Sequence, residues 1–154
     1  MKPRMNSFTP IGTIMEKTVI GRFDRVDFPE LGLRKVKVKI DTGAYNSSIH
    51  VTDLREDEHG VHFIPLTEGR KGFAGKQVSM PEFEKRIVRS SNGEIEERYL
   101  IETKVILFGE VIPLKMTLTD RSQMRFPILI GRSLLNKGFV IDVSRTYLSF
   151  KTER

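Results

Sequence analysis

The feature that most constrains this fold is the alternation of apolar and polar side chains along most of the sequence. It is clearest from Arg34 to Ile40, where charged residues alternate with valine and isoleucine. Side chains of a strand point to opposite faces in turn, so this pattern predicts a half-buried strand. Further candidate strands are Thr18–Phe23, Gly60–Leu66, Val111–Leu118 and Pro127–Ile130. Many short strands separated by turn residues, without a long amphipathic helix, predict an all-β barrel or sandwich.

Two hairpins are predicted in the second half of the chain. Glu84–Arg89 and Glu94–Leu107 flank Asn92-Gly93, a strong short-range signal for a hairpin because both residues tolerate positive φ. Phe139–Val143 and Tyr147–Phe150 are two further apolar runs on either side of a short polar stretch. We expect these two runs to pair as a closing hairpin.

The predicted organisation is one domain covering residues 1–154, with residues 1–12 as a flexible N-terminal segment. Ser133–Lys137 is long enough for about one helical turn, which Gly138 would end. Residues 67–82 are rich in glycine and are expected to form a loop or insertion.

The charge distribution argues against a nucleic-acid partner. The net charge is +6, but residues 1–77 and residues 78–154 each hold 13 basic and 10 acidic residues, so each half carries +3. The densest basic stretch, with Arg34, Lys35, Lys37 and Lys39, alternates with apolar residues. We interpret it as the solvated face of a strand in preference to a surface that follows phosphates.

Composition excludes several other classes of site. The chain has no cysteine, which rules out disulfides, thiolate metal sites and a cysteine nucleophile. No apolar stretch approaches the length of a membrane span, so no membrane partner is expected. Met1–Ser7 is basic but is not followed by the apolar core of a secretory signal. We therefore expect a cytoplasmic protein.

The tetrapeptide Asp41-Thr42-Gly43-Ala44, at the end of the strand Val36–Ile40, carries the strongest chemical signal. A strand end can fix a carboxylate that activates water, a threonine hydroxyl can brace the turn, and glycine allows close approach of substrate. Asp, Thr and Gly are also common turn residues, so the motif alone is a weak signal. The apolar segment Phe126–Leu135, far downstream, strengthens it.

Three stretches in order resemble one protein family. They are Lys39–His50, Arg86–Arg98 and Leu118–Arg132. Together they resemble the retropepsin-like aspartic proteases. The match is closer to a bacterial branch named ATP-dependent zinc proteases, which is associated with RimK-type, ATP-grasp glutamate ligases.

The resemblance implies a closed, all-β retropepsin-like barrel with one short helix. In that fold the catalytic turn and the downstream apolar strand cross beneath the active site, and Gly131 gives room for the crossing. The 86–98 hairpin would cover the substrate as a flap. Each chain would supply one aspartate, Asp41, so a working site would need a homodimer in which Thr42 holds the two loops together.

The resemblance further implies an aspartic endopeptidase that acts on a peptide or protein substrate, and the association with glutamate ligases suggests a glutamate-modified one. An ATP-grasp ligase is the implied partner. The catalytic candidates are Asp41, Thr42 and Gly43. The candidates for substrate binding are Ala44, Arg89, Asn92, Gly93 and Arg98. Two alternatives stay open: a non-catalytic binding or regulatory domain on the same fold, and a zinc-dependent hydrolase.

The sequence departs from the retropepsin pattern in two places. Tyr45 and Asn46 stand where viral retropepsins carry an acidic residue that pairs with the arginine of the downstream segment. Arg132 must therefore find another partner, and Asp120 or Asp142 is our expectation. The flap is polar and charged where retropepsin flaps are glycine-rich, which suggests a polar or acidic substrate. The arginines that could bind its carboxylates are Arg86, Arg89 and Arg98.

The three histidines give little support for zinc, and we expect no cofactor and no metal. The chain lacks an H-E-x-x-H motif, and His59 and His62 are three apart in a strand-like stretch, so they should point to opposite faces. His50 lies near the catalytic turn and is the one plausible ligand, or a neighbour that tunes Asp41. We expect the histidines to be solvated or hydrogen-bonded at the surface.

Overall fold

The computed structural model describes residues 16–89, 92–120 and 125–153. The N-terminal segment 1–12, predicted to be flexible, lies outside these residues. The described strands are β1 (Thr18–Ile20), β2 (Phe23–Phe28), β3 (Leu33–Ile40), β4 (Ser47–Asp57), β5 (Gly60–Pro65), β6 (Val78–Met80), β7 (Glu84–Arg89), β8 (Ile95–Leu107), β9 (Glu110–Thr119), β10 (Ile128–Ile130) and β11 (Phe139–Ile141). The helices are α1 (Arg132–Leu135), α2 (Leu148–Glu153) and a 3-10 turn at Pro29–Leu31. No helix in the described part is long and apolar enough to cross a membrane.

Six strands form a closed ring of hydrogen-bonded neighbours. Their order is β10, β3, β2, β8, β9 and β4, and β4 pairs back with β10. Strand β10 runs parallel to β3 and antiparallel to β4, so three residues close the ring. β5 and β6 continue the sheet from β4, and β7 pairs with β8. The mainly-β prediction is confirmed.

The core lies inside this ring, and the alternation seen in the sequence decides which residues enter it. On β3, Val36, Val38 and Ile40 are buried, whereas Arg34 and Lys37 are exposed. The other ring strands contribute apolar side chains in the same way, among them Val26, Ile49, Ile101, Val105, Met116, Leu118, Ile128 and Ile130. Burying these side chains is the main driving force for closing the ring.

The hairpin predicted around Asn92-Gly93 is confirmed. β7 and β8 pair antiparallel from Glu84↔Leu100 to Arg89↔Ile95. At the tip Gly93 has φ +90°, a backbone conformation that favours glycine, and the Asn92 side chain accepts a hydrogen bond from Glu94 N at 3.1 Å. The expected loop 67–82 also contains the short strand β6, which pairs with β5.

The prediction of one short helix and a closing hairpin is wrong at the C-terminal end. Tyr147–Phe150 is not a strand: α2 begins at Leu148, and β11 pairs in parallel with β1. The reason is Asp24, which is fully buried on β2 and accepts hydrogen bonds from Ser149 N at 2.9 Å and Phe150 N at 3.0 Å. A carboxylate that binds the first free N–H groups of a helix favours the helix over a strand.

The strand predicted from Thr18 to Phe23 is divided in two. Gly21 packs so closely on the last turn of the chain that an added β-carbon would lie 2.1 Å from Arg145 O. Arg22 N then donates to the same carbonyl at 2.8 Å. β1 therefore leaves the main sheet and pairs with β11, and β2 starts afresh at Phe23.

We predict that Asp24→Ala lowers the free energy of unfolding by about 2–4 kcal/mol, because buried N–H donors lose their acceptor. The measurement is urea denaturation followed by circular dichroism. Asp142→Ala is the matched control, since that carboxylate accepts from Ser144 N and Oγ in an exposed turn. A loss no larger in Asp24→Ala than in Asp142→Ala would contradict the helix-anchoring role of Asp24.

Candidate active site

Asp41 follows directly after β3 and is held at its backbone by β10. Asp41 N donates to Ile130 O at 2.8 Å, and Ile130 lies in register with Ile40. β10 runs between β3, which leads into the loop 41–46, and β4, which leads out of it. The predicted crossing of the two distant segments is therefore present, and it fixes the position of Asp41 relative to the ring.

Gly131 lets the loop lie directly on the chain behind it. A β-carbon at Gly131 would lie 2.7–2.8 Å from the carbonyl oxygens of Ala44, Tyr45 and Asn46. Two of these carbonyls accept hydrogen bonds from the start of α1: Arg132 N to Ala44 O and Ser133 N to Tyr45 O, both at 2.8 Å. The free N–H groups of a helix start thus hold the loop at its carbonyls.

Ser47 makes a buried contact with Gly131 that the sequence analysis missed. Its side chain is fully buried, and its Oγ accepts a hydrogen bond from Gly131 N at 3.1 Å. Its burial at the first residue of β4 is a tertiary property, and the sequence carries no signal for it.

The Asp41 carboxylate is oriented within its own turn. Its Oδ1 accepts from Gly43 N at 3.0 Å, and Ala44 N donates to Asp41 O at 3.3 Å. Asp41 and Ala44 are half-buried, while Thr42 and Gly43 are exposed. The arrangement can present a carboxylate and a threonine side chain to an approaching molecule on the open side of the loop.

Arg132 reaches the loop itself, and our expectation of Asp120 or Asp142 as its partner is wrong. Its Nη1 donates to Thr42 O at 2.9 Å, and its guanidinium lies 5.8 Å from the centre of the Tyr45 ring. Asp142 instead accepts two bonds from Ser144, which hold the pKa of that carboxyl below its ordinary value. A carbonyl and an aromatic ring thus replace the acidic partner of viral retropepsins.

Two of the three hairpin arginines bind carboxylates of their own strands. Arg98 Nε donates to Glu96 Oε1, and Arg86 donates to Glu84 Oε1 from Nε at 3.1 Å and Nη2 at 2.8 Å. Arg86 holds the pKa of Glu84 below its ordinary value. Arg89 is exposed at the end of β7. Residues 90 and 91 lie outside the described part, so contact between the hairpin and the Asp41 loop stays a prediction.

The histidines are not all surface residues as expected. His50 is 1% exposed, and neither ring nitrogen makes a hydrogen bond of good geometry to a described protein group. His62 is also buried, and its ring bonds Ser79 Oγ at 2.7 Å and Asp57 Oδ1 at 2.8 Å. His59 is exposed. Within residues 16–89, 92–120 and 125–153, no three His, Asp or Glu side chains cluster as metal ligands would.

His50 should make stability depend on pH. Burial lowers its pKa, and the Arg70 charge adds to this, although the Thr119 backbone and Asp120 act in the opposite direction. The unfolded chain, with a histidine pKa of about 6.5, then binds a proton more readily than the folded chain. This contribution to stability is full above about pH 6.5 and is lost as the pH falls through the lowered pKa.

We therefore predict that the free energy of unfolding falls between about pH 7.5 and about pH 5.5, and that His50→Gln weakens this fall. Urea denaturation at several pH values measures it, with His59→Gln as the exposed control. Carboxyls with lowered pKa values, such as Asp57 and Glu84, titrate below this window. An unchanged pH profile in His50→Gln would refute the assignment.

Gly131→Ala should destabilise the fold by about 2–4 kcal/mol, because the new methyl group meets three carbonyl oxygens that cannot move independently. The control is Gly43→Ala, where a β-carbon would meet one atom, Asp41 Oδ1, at 3.3 Å. Unfolding free energies of both variants measure the difference. If Gly131→Ala and Gly43→Ala lose the same unfolding free energy, the close packing at Gly131 is not what holds the loop.

Comparison with known proteins places this site in a family. A family model described as retropepsin-like aspartic endopeptidase RimB matches residues 19–152. A probable alpha-L-glutamate ligase of Shewanella halifaxensis is 34% identical over 137 residues, covering 85% of this chain and 30% of the relative. Another from Desulfotalea psychrophila is 35% identical over 132 residues, covering 82% and 28%. The chain thus spans less than a third of the length of these curated relatives.

The fold has a solved counterpart as well. The crystal structure of a Legionella pneumophila protein of unknown function aligns with a TM-score of 0.64 and 20% identity, covering 86% of this chain and 98% of that one. At that identity the likeness concerns the fold alone. The family match extends over nearly all of the chain and includes the Asp41 loop, β10 and α1. The chain therefore belongs to the RimB-like family of retropepsin-like aspartic endopeptidases.

Proposed function

We propose that this protein is an aspartic-type peptidase on a retropepsin-like closed barrel, active as a homodimer with Asp41 supplied by each subunit. The observation that carries the proposal is the geometry of the Asp41 loop. It is fixed from behind by β10 and the start of α1, while Thr42 and Gly43 are exposed beside the carboxylate. Tyr45, a residue of this loop that is 60% exposed, offers apolar surface that a second subunit would cover.

The chemistry follows from placing two such carboxylates across a two-fold axis. At about 3 Å apart they cannot both ionise, so they share a proton and titrate as a coupled pair. The ionised Asp41 takes a proton from water as the water oxygen attacks the scissile carbonyl carbon. The neutral Asp41 of the other subunit donates its proton to the carbonyl oxygen. Collapse of the tetrahedral intermediate then breaks the C–N bond as the amine gains a proton, without a covalent enzyme intermediate.

Thr42, Gly43 and Ala44 have supporting roles in this proposal. Thr42 would hold the two loops together across the axis, and Gly43 N already orients the carboxylate through its bond to Oδ1. Ala44, which is half-buried, would line the substrate cleft. Because the loop is held by main-chain bonds, these groups need little reorganisation when substrate binds.

The hairpin is proposed to cover the substrate, with Arg89, Asn92, Gly93 and Arg98 at or near the contact. Two large apolar side chains support this, since Ile87 is 69% and Ile95 is 59% exposed. The strand register places both on the same face of the hairpin, diagonally across from each other. Apolar residues exposed on a projecting hairpin suit a surface that becomes buried against a bound peptide.

A glutamate-modified protein is the proposed substrate, and a glutamate ligase the proposed partner. The support is that relatives matched over most of this chain are named probable alpha-L-glutamate ligase. The same observation favours a second candidate, in which the domain binds acidic peptide for a ligase and cuts nothing. The two candidates differ in whether Asp41 takes part in catalysis.

Asp41→Asn should lower turnover of a glutamate-tailed peptide by at least about 100-fold, because the amide can neither accept a proton from water nor share one. Product formation is followed by mass spectrometry, and circular dichroism and sedimentation confirm folding and dimerisation. Asp53→Asn, an exposed position with φ 57° that asparagine tolerates well, is the control with the same chemical change.

Undiminished turnover in Asp41→Asn, or a strictly monomeric protein that still cuts peptides, would exclude the paired-aspartate mechanism. Absence of turnover in the parent protein, with retained peptide binding, would favour the binding domain. Because the proposed chemistry uses carboxylates and water, turnover should also survive dialysis against a zinc chelator. Its loss there, with recovery on added zinc, would favour the zinc-dependent alternative.

A further inference from the structure

A cavity of about 270 Å³ lies at the start of β10. Its walls come from β2, β3, the loop after β5 and the residues that lead into β10. Six of its eleven lining residues are basic and none of the described lining residues is acidic; the basic ones are Arg25, Lys35, Lys37, Arg70, Lys71 and Arg125. The remaining lining residues are apolar, so the cavity combines positive charge with apolar surface.

Two of these charges face each other across neighbouring strands. Arg25 lies directly opposite Lys37 in the β2–β3 register, and like charges at such positions destabilise a sheet. The carboxylate of Asp27, which does not line the cavity, lies beside it, with its Oδ1 4.0 Å from Lys35 Nζ. Cations gathered in a concave, partly apolar site produce a focused positive potential that attracts anions. An anion bound there would offset the repulsion between Arg25 and Lys37.

The aromatic residues beside the cavity favour an acidic peptide over a nucleic acid. Phe23 and Phe126 pack against each other with centroids 5.2 Å apart. Phe23 has Lys37 Nζ at 4.6 Å, and Phe126 has Lys39 Nζ at 5.0 Å and Arg125 at 5.5 Å from the ring centre. Rings so engaged are poorly placed to stack on bases, which is the usual basis for binding single strands.

The cavity lies within reach of the proposed catalytic loop. Lys35, Lys37 and Lys39 alternate along β3, which ends one residue before Asp41. From Lys37 to Asp41 is four residues, or about 13 Å of extended strand. An extended peptide needs about four residues to cover the same distance. A short extended peptide is therefore long enough to reach from the cavity to the Asp41 loop.

We propose that this basic cavity is a binding site for the carboxylate side chains of an acidic peptide segment, about four residues from the bond that is cut. It deepens the proposed function, because it supplies recognition of an acidic substrate away from the reacting atoms. The hairpin arginines Arg86 and Arg98 are already engaged by glutamates, so the cavity takes over the carboxylate recognition that the sequence suggested for them.

The test measures binding, so that it does not depend on catalysis. A fluorescein-labelled hexaglutamate peptide is titrated with the full chain at about 50 mM salt, and anisotropy gives the Kd. The double variant Arg25→Gln with Lys37→Gln is expected to weaken binding at least about 10-fold. The control pair, Lys104→Gln with Lys115→Gln, removes the same charge beside another cavity of about 970 Å³ and should change Kd less than about 3-fold.

Further binding measurements distinguish this site from general attraction to a basic surface and from a nucleic-acid site. Hexaglutamine should not bind, because it lacks the carboxylates that the basic side chains would bind. An equal loss of hexaglutamate affinity in both double variants would mean general attraction to a basic surface and would overturn the proposed site. No binding of hexaglutamate, or tighter cavity-dependent binding of a single-stranded oligonucleotide, would overturn it as well. If the cavity variants lose binding while no peptide is ever cut, the site stands and the peptidase proposal fails.

Discussion

The structure depends on the main-chain hydrogen bonds that join the Asp41 loop to residues 130–133. Asp41 N donates to Ile130 O, and the first N–H groups of α1 donate to Ala44 O and Tyr45 O. The same crossing closes the ring of strands, because β10 pairs with both β3 and β4. The same segment therefore closes the sheet and positions the Asp41 carboxylate, and a side chain at Gly131 would disturb both.

The way the loop is held also shapes its chemistry. The bonds that join the loop to β10 and to the start of α1 are made by peptide groups. The guanidinium of Arg132 contacts Thr42 O and the Tyr45 ring. The Asp41 side chain is left with one intraloop bond, from Gly43 N. In the proposed dimer the charge of Asp41 would then be governed chiefly by its symmetry mate, which is what a shared proton requires.

Positive charge is distributed in space very differently from its distribution in sequence. Each half of the chain carries +3, and the basic residues of β3 follow an ordinary alternation. Folding brings Arg25 beside Lys37 and adds Arg70, Lys71 and Arg125 from two later segments, which produces one concave basic site. A count along the sequence misses such a site because its members come from four segments of the chain.

Local patterns in the sequence predicted most of the strands, the hairpin at Asn92-Gly93 and the turn at Asp41, because alternation and turn chemistry act over a few residues. They did not predict β4 (Ser47–Asp57). Tertiary structure decided the rest. Tyr147–Phe150 has the composition of a strand, yet the chain from Leu148 is helical because the Asp24 carboxylate, 125 residues before Ser149, binds its N–H groups. The contacts of Arg132 and Ser47 likewise depend on where distant backbone groups lie. Such bonds join residues remote in sequence, and short-range propensity contains no information about them.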